Sequence, residues 1–234
     1  MNTTQEALLI KEGYLIHSSI GYGLTSLRRA SIQNKGEYYQ GFFQLGTGLE
    51  RTMKLIIMQN YKGIHNKYPD TKVMKSYSHN LINLFHSVVK ICNRKDLLND
   101  LEEMSLKILK FLGDFSMGDR YYNLDYLTGR RSTIDPLIQW AEIQNELLIR
   151  ERKNGNKNNK KNDKLFNILD EKSFTIIYDE QNNLIDKASE FFEGIEKAQK
   201  AQGYAVYYIL QIIKVLSTIL EDIEYKYNLY RAQL

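Results

Sequence analysis

The chain has 234 residues, 43% of them hydrophobic and 26% charged, which excludes general disorder and suffices for one core, or a core with an appendage, without a disulfide or metal staple. A net charge of +4 is too small to point to nucleic acid by itself, and abundant Asn, Lys and Ile, the mark of an AT-rich genome, raise the lysine count without any nucleic-acid role. The single cysteine, Cys92, excludes an internal disulfide and a cysteine-rich zinc site, and its step with Phe85 and Val88 marks it as a small buried apolar residue.

From the N-terminus, Asn2 to Glu6 are polar and no unbroken apolar run follows, so no signal peptide is expected. Thr4 to Gln33 reads as a helix capped by Thr3 or Thr4, with Leu8, Leu15, Ile20, Leu24 and Leu27 inward. Gly13, Gly21 and Gly23 each weaken it by about 1 kcal/mol relative to Ala, and close approach of a second helix would compensate. Glu37 to Asn60 supplies that helix, with Gly41, Gly46 and Gly48 and the inward stripe Phe42, Leu45, Leu49, Met53 and Ile56. Asn34-Lys35-Gly36 reads as the hairpin turn, with Gly36 at positive φ. Glu50, Arg51 and Lys54 lie on the outer face, either as a solvated face or as a surface for a partner or phosphate.

Pro69 closes a connection after Gly63. A third helix is expected from Lys72 to Asn93, with Tyr77, Leu81, Leu84, Phe85, Val88 and Cys92 inward and Lys75, His79, Asn83, His86 and Lys90 on the polar side. His79 and His86 are seven apart, not the i,i+3 or i,i+4 of a metal pair, so no zinc and no other metal or cofactor is expected. Asp96 to Phe115 reads as a fourth helix, ended at Gly118 in a left-handed conformation.

Gly118 to Tyr126, Gly-Asp-Arg-Tyr-Tyr-Asn-Leu-Asp-Tyr, is the densest chemistry in the chain and is expected to form a short helix or turn. One permanent cation, carboxylates, an amide and phenols suit an anion or a nucleotide base better than they suit a core. Asp135 followed by Pro136 starts a further helix to about Lys153, through Leu137, Trp140, Ile143, Leu147 and Leu148. Residues 150–164 are a Lys/Asn-rich loop with almost nothing apolar, read as a mobile tip or a nucleic-acid tether. Ser173 to Tyr178 is the strand-like run, either an extended connector or an edge that pairs across a dimer. Asn182 to Gln202 and Gly203 to Gln233 are expected to close the chain as a helical pair. The apolar run Tyr204 to Leu220 within them is interrupted by Gln211 and Lys214 and is short for a bilayer, so a soluble cytoplasmic protein with no membrane role is expected. The fold class is therefore all-α: an antiparallel helical bundle over 1–149, the loop 150–164, and a C-terminal helical extension over 165–234 packing on it.

No phosphate-cradling loop, dinucleotide fingerprint, His-Glu-x-x-His or nucleophile elbow is present, which removes most enzyme classes. The hairpin ending in Gly48-Leu49-Glu50-Arg51-Thr52-Met53-Lys54-Leu55-Ile56, the run Ser78-His79-Asn80-Leu81-Ile82-Asn83-Leu84, and an arginine at a helix start together resemble the HEPN superfamily over residues 5 to 127. The resemblance implies a helical homodimer of a prokaryotic defence or toxin-antitoxin system that binds RNA or a nucleotide and, in many members, cleaves RNA without metal through an arginine followed by a histidine. Arg120 matches the arginine, but Asp125, followed by Tyr126, stands where the histidine is expected. An aspartate is a poorer proton shuttle than imidazole at neutral pH, so cleavage would need His79 brought to Arg120, within the bundle or across a dimer. On that reading Arg120, His79 and Asp125 are the catalytic candidates, and Tyr121, Asn123, Tyr126, Arg51, Lys54 and Asn80 would contact nucleotide or RNA. Two alternatives stand beside it. One is a non-catalytic HEPN-like subunit using the groove for a nucleotide or protein partner; the other is a scaffold assembled through its tyrosine-rich C-terminal helix. Arg120 would then pair with Asp119, Asp125 or Glu50.

Overall fold

The computed structural model describes residues 3–229 apart from 78, 94–95, 100, 131–133 and 154–162. It is an all-α bundle of ten helices among the described residues: α1 (Thr3–Arg29), α2 (Lys35–His65), α3 (Thr71–Ser76), α4 (Leu81–Cys92), α5 (Asp96–Asn99), α6 (Glu103–Met117), α7 (Tyr122–Leu127), α8 (Pro136–Lys153), α9 (Asp163–Lys172) and α10 (Ala188–Lys226). A two-residue ribbon, β1 (Ile177–Tyr178) and β2 (Leu184–Ile185), precedes α10.

The α1–α2 hairpin is held by glycine. Leu9, Gly13, Ile16, Ile20, Gly23, Leu24 and Leu27 form the stripe of α1 turned to the core, while Leu8 and Leu15 face outward, contrary to the sequence expectation. The stripe is displaced because Gly13 and Gly23 belong to it. A Cβ on Gly23 would sit 2.9 Å from the Leu45 backbone nitrogen, and one on Gly41 would sit 3.1 Å from that of Leu27. This is the close approach that the glycine content predicts. Gly36, in contrast, makes no turn. The reversal is made by Ala30, Ser31 and a 3₁₀ turn over Ile32–Asn34, and Gly36 sits in the first turn of α2.

The α2 stripe Phe42, Leu45, Leu49, Met53 and Ile56 is fully buried, as its spacing requires. Around Phe42 stand Phe111, Trp140 and Phe115, with ring centroids 4.7, 5.0 and 5.3 Å away. This aromatic centre ties α2, α6 and α8 together.

Four expected helices have different boundaries: two are each divided and the closing two are merged. The span from Lys72 to Asn93 is two helices, because Asn80 is extended and its side chain accepts from Asn83 N at 3.0 Å, capping α4 afresh. Asp96 to Phe115 is α5 and α6, with the longer helix beginning at Glu103 and running to Met117. The final pair is one helix: Gly203 lies inside α10, whose 39 residues pack against α1, α2, α6 and α8. Left-handed stops are made by Asn66 and Asn93, at φ 53° and 50°, and by Gly129 at 79° after α7; Gly118, at −167°, is extended. The strand-like run pairs within the chain, Ile177 opposite Ile185 and Tyr178 opposite Leu184, through a turn in which the Asp179 carboxylate accepts from Gln181 N and Asn183 N. The Cys92 side chain and most of the 150–164 loop lie outside the described residues.

Among the described residues α10 is long and apolar enough to cross a membrane, and half of its apolar window is buried in the bundle. Ile209, Ile212, Leu216 and Ile219 share one apolar core with α2, α6 and α8, and Ser105 Oγ of α6 donates to the Tyr208 carbonyl at 3.1 Å.

Candidate functional site

The Gly118–Tyr126 stretch emerges where α6 leaves the aromatic centre. Phe115, buried against Phe42 and Tyr39, is the last core residue of α6. The backbone then extends at Gly118, and Asp119–Tyr121 forms a 3₁₀ turn in which Tyr121 N donates to the Gly118 carbonyl at 3.0 Å. Asp119 turns inward, 8% exposed, and accepts from Gln139 Nε2 of α8 at 3.3 Å. The same Gln139 nitrogen donates to the Ile134 carbonyl at 3.1 Å. With Asp119 anchored, Arg120 is turned outward.

Its guanidinium carbon lies 4.9 Å from the centroid of the Tyr121 ring, a cation–π contact between two exposed side chains. Arg120 forms no ion pair among the described residues: Glu50 is engaged elsewhere, and neither Asp119 nor Asp125 pairs with it. Farther along, Tyr122 and Tyr126 have ring centroids 5.9 Å apart, with Tyr126 exposed, and Asn123 Nδ2 donates to the Tyr39 hydroxyl at 3.4 Å. Burial raises the Tyr39 phenol above its ordinary value, opposed in part by that hydrogen bond from Asn123. The Asp125 carbonyl accepts from Arg130 N at 2.7 Å, closing the C-terminal end of α7.

The remaining predicted residues gather at a second place. His79 Nδ1 lies 2.8 Å from Glu50 Oε1, which also accepts from Lys54 Nζ at 2.7 Å. Arg51 Nη1 bonds Glu12 Oε1 at 2.7 Å, tying α2 to α1. Asn80 spends its side-chain oxygen on the α4 cap. Arg51 and Lys54 border a cavity of about 700 Å³ whose walls include Leu8, Leu9, Leu55, Met58 and Met74.

The two groups do not converge within the protomer. The first is anchored on α2 at Tyr39 and the second at Glu50, on the same helix face but about 16 Å apart at about 1.5 Å of rise per residue. Arg120 and His79 therefore belong to separate side-chain groups, anchored about three turns apart on α2.

Two features gave little sequence signal. Gln139 pairs with Asp119 across α6 and α8, a contact that only packing creates. Beneath the β ribbon, Tyr38 Oη donates to Glu180 Oε1 at 2.9 Å and accepts from Gln144 Nε2 at 3.2 Å. Burial above all, with the Glu180 charge second, drives the Tyr38 phenol far above its ordinary range. No cluster of three or more His, Cys, Asp or Glu side chains suited to a metal occurs among the described residues.

Comparison of the chain with protein-family models, with curated proteins and with solved structures gives no match.

Proposed function

We propose that this is a HEPN-like cytoplasmic protein of a prokaryotic defence or toxin-antitoxin system that binds single-stranded RNA as a homodimer along the Arg120–Tyr126 edge. The observation that carries the reading is Arg120 stacked on Tyr121, both exposed, with the arginine committed to no carboxylate among the described residues. A guanidinium for the phosphate and phenol faces for the bases are the parts from which single-strand platforms are built. Binding is favoured over cleavage because His79 is held on Glu50 and Lys54. Metal-free cleavage would need the His79 of a second copy to reach Arg120, which would supply the charge stabilisation while the imidazole moved the proton.

The test is fluorescence anisotropy with a labelled ten-nucleotide uridine RNA, run beside a cleavage assay. Arg120→Ala and Tyr121→Ala should each weaken binding about 5–100-fold, the range expected for loss of a stacked base or its phosphate contact. Unchanged affinity in both variants refutes the reading. Cleavage lost in His79→Ala would instead establish the dimeric nuclease.

A second reading rests on the same edge. Leu124 and Leu127 are 62% and 80% exposed between the tyrosines, an apolar surface that suits a protein partner. Leu124→Asp with Leu127→Asp would abolish a protein contact, read as a change in oligomeric state by light scattering, and would leave RNA affinity less affected than Arg120→Ala does.

A further inference from the structure

The ribbon that precedes α10 has only two strands among the described residues, so β1 is paired on the β2 side alone. Ile177 lies opposite Ile185, and Asp179 N donates to the Asn183 carbonyl at 3.0 Å, so the odd-numbered residues turn their N–H and C=O groups to β2. By the same alternation Phe174, Ile176 and Tyr178 turn theirs to the outer edge, where no backbone bond meets them among the described residues. Exposure alternates in step. Phe174, Ile176 and Tyr178 are 81%, 66% and 54% exposed, whereas Thr175 and Ile177 are partly buried. Leu184, opposite Tyr178 on β2, is also exposed and extends the apolar face. Open edges are commonly guarded by a lysine, a proline or a bulge, yet Phe174-Thr175-Ile176-Ile177-Tyr178 holds neither a charge nor a proline.

We propose that β1 is the homodimer interface, pairing antiparallel with β1 of a second copy about a two-fold axis at Ile176. The inference rests on the homodimer of the proposed function, for which it supplies the surface, and does not need RNA. A second copy fits because the strand reads nearly the same in both directions. Pairing about Ile176 sets Phe174 against the partner's Tyr178 and Ile176 against the partner's Ile176, so that an aromatic pair flanks the central aliphatic pair on each side. These residues are also the ones whose backbone groups face outward, and the side-chain match selects this register among those that the outward groups allow. Continued past the strand ends, the register brings Lys172 to the partner's Glu180, and Glu171 to the partner's Gln181, which is uncharged. The contact uses the same surface on both copies, so it closes at two.

Light scattering after size exclusion of the full chain reads the interface. Wild type should have twice the 27.5 kDa mass of one chain. Ile176→Lys and Ile176→Glu each place like charges together on the axis, and each should run at half the wild-type mass with an unchanged circular dichroism spectrum, since Ile176 is exposed. An equal mixture of the two variants should recover the dimer, because the axis then carries opposite charges; ribbons that had merely unfolded would not recover it. Leu124→Asp with Leu127→Asp, on the Arg120 edge, should remain dimeric. A wild-type monomer overturns the interface and the homodimer together, while RNA affinity lost in Arg120→Ala would still stand by itself. A dimer that survives Ile176→Lys, a mixture that stays monomeric, or assembly beyond two copies overturns the interface alone.

Discussion

The α1–α2 interface makes opposite predictions for two glycines that lie two residues apart. In Gly21→Ala the new methyl meets nothing within 4 Å, so only the helix propensity changes and the variant should gain up to about 1 kcal/mol. In Gly23→Ala the methyl meets Leu45 at 2.7 Å from Cγ and 2.9 Å from the backbone nitrogen. A side-chain clash can be relieved by rotation, but this one includes the backbone of the neighbouring helix. Overpacking costs about 1–3 kcal/mol, and a clash with backbone belongs at the upper end. Subtracting the propensity gain of about 1 kcal/mol leaves a net loss near 2 kcal/mol. Thermal denaturation followed by circular dichroism would read both, and at about 2–4 °C per kcal/mol the two melting temperatures should separate by several degrees. If Gly23→Ala is neutral, or stabilises as Gly21→Ala does, the two helices do not approach through Gly23 and the account of the glycines is wrong.

Other outcomes follow from single contacts. Asn80→Ala removes the cap of α4 and should cost about 1 kcal/mol in urea denaturation, although the residue resembles part of a family motif. Asp135→Ala, which removes the 2.8 Å bond from Leu137 N in a buried setting, should cost at least as much, up to about 2 kcal/mol. Gln202 is fully buried and its amide makes no close hydrogen bond, only a weaker contact with the Tyr38 phenol, so Gln202→Met should stabilise the protein by about 1 kcal/mol, whereas a loss would mean that the contact with Tyr38 matters more than the buried amide costs. Tyr38 predicts the alkaline limb of stability. Its phenol stays protonated in the fold, while in the unfolded chain it ionises near its ordinary value of 10.0. Above that pH the unfolded state holds fewer protons, so stability falls as pH rises, by up to about 1.4 kcal/mol per unit. Denaturation between pH 9 and 11.5 should show a shallower fall in Tyr38→Phe than in wild type, and equal slopes would refute the burial argument.

The chain's apolar periodicity was enough for the all-α class and for the buried stripe of α2, because a stripe repeated over many turns can bury only one face. Asp135-Pro136 likewise marked the start of α8, since an N-cap followed by proline is a local signal that packing does not overrule. Where local signals were weak, tertiary contacts decided. The stripe of α1 runs through Gly13 and Gly23, which carry no hydrophobicity to read, and Gly203 passes unbroken through α10 because the helix packs along much of its length. The candidate site divides in the same way. Exposed chemistry at Arg120 to Tyr126 was visible as composition, and so was the missing histidine. That His79 stands on Glu50, some 16 Å along α2 from the Tyr39 anchor, and that Asp119 turns inward to Gln139, were set by which helices pack together. Distance along the chain carries no record of either contact, because side chains on separate helices meet only after the core has placed those helices side by side.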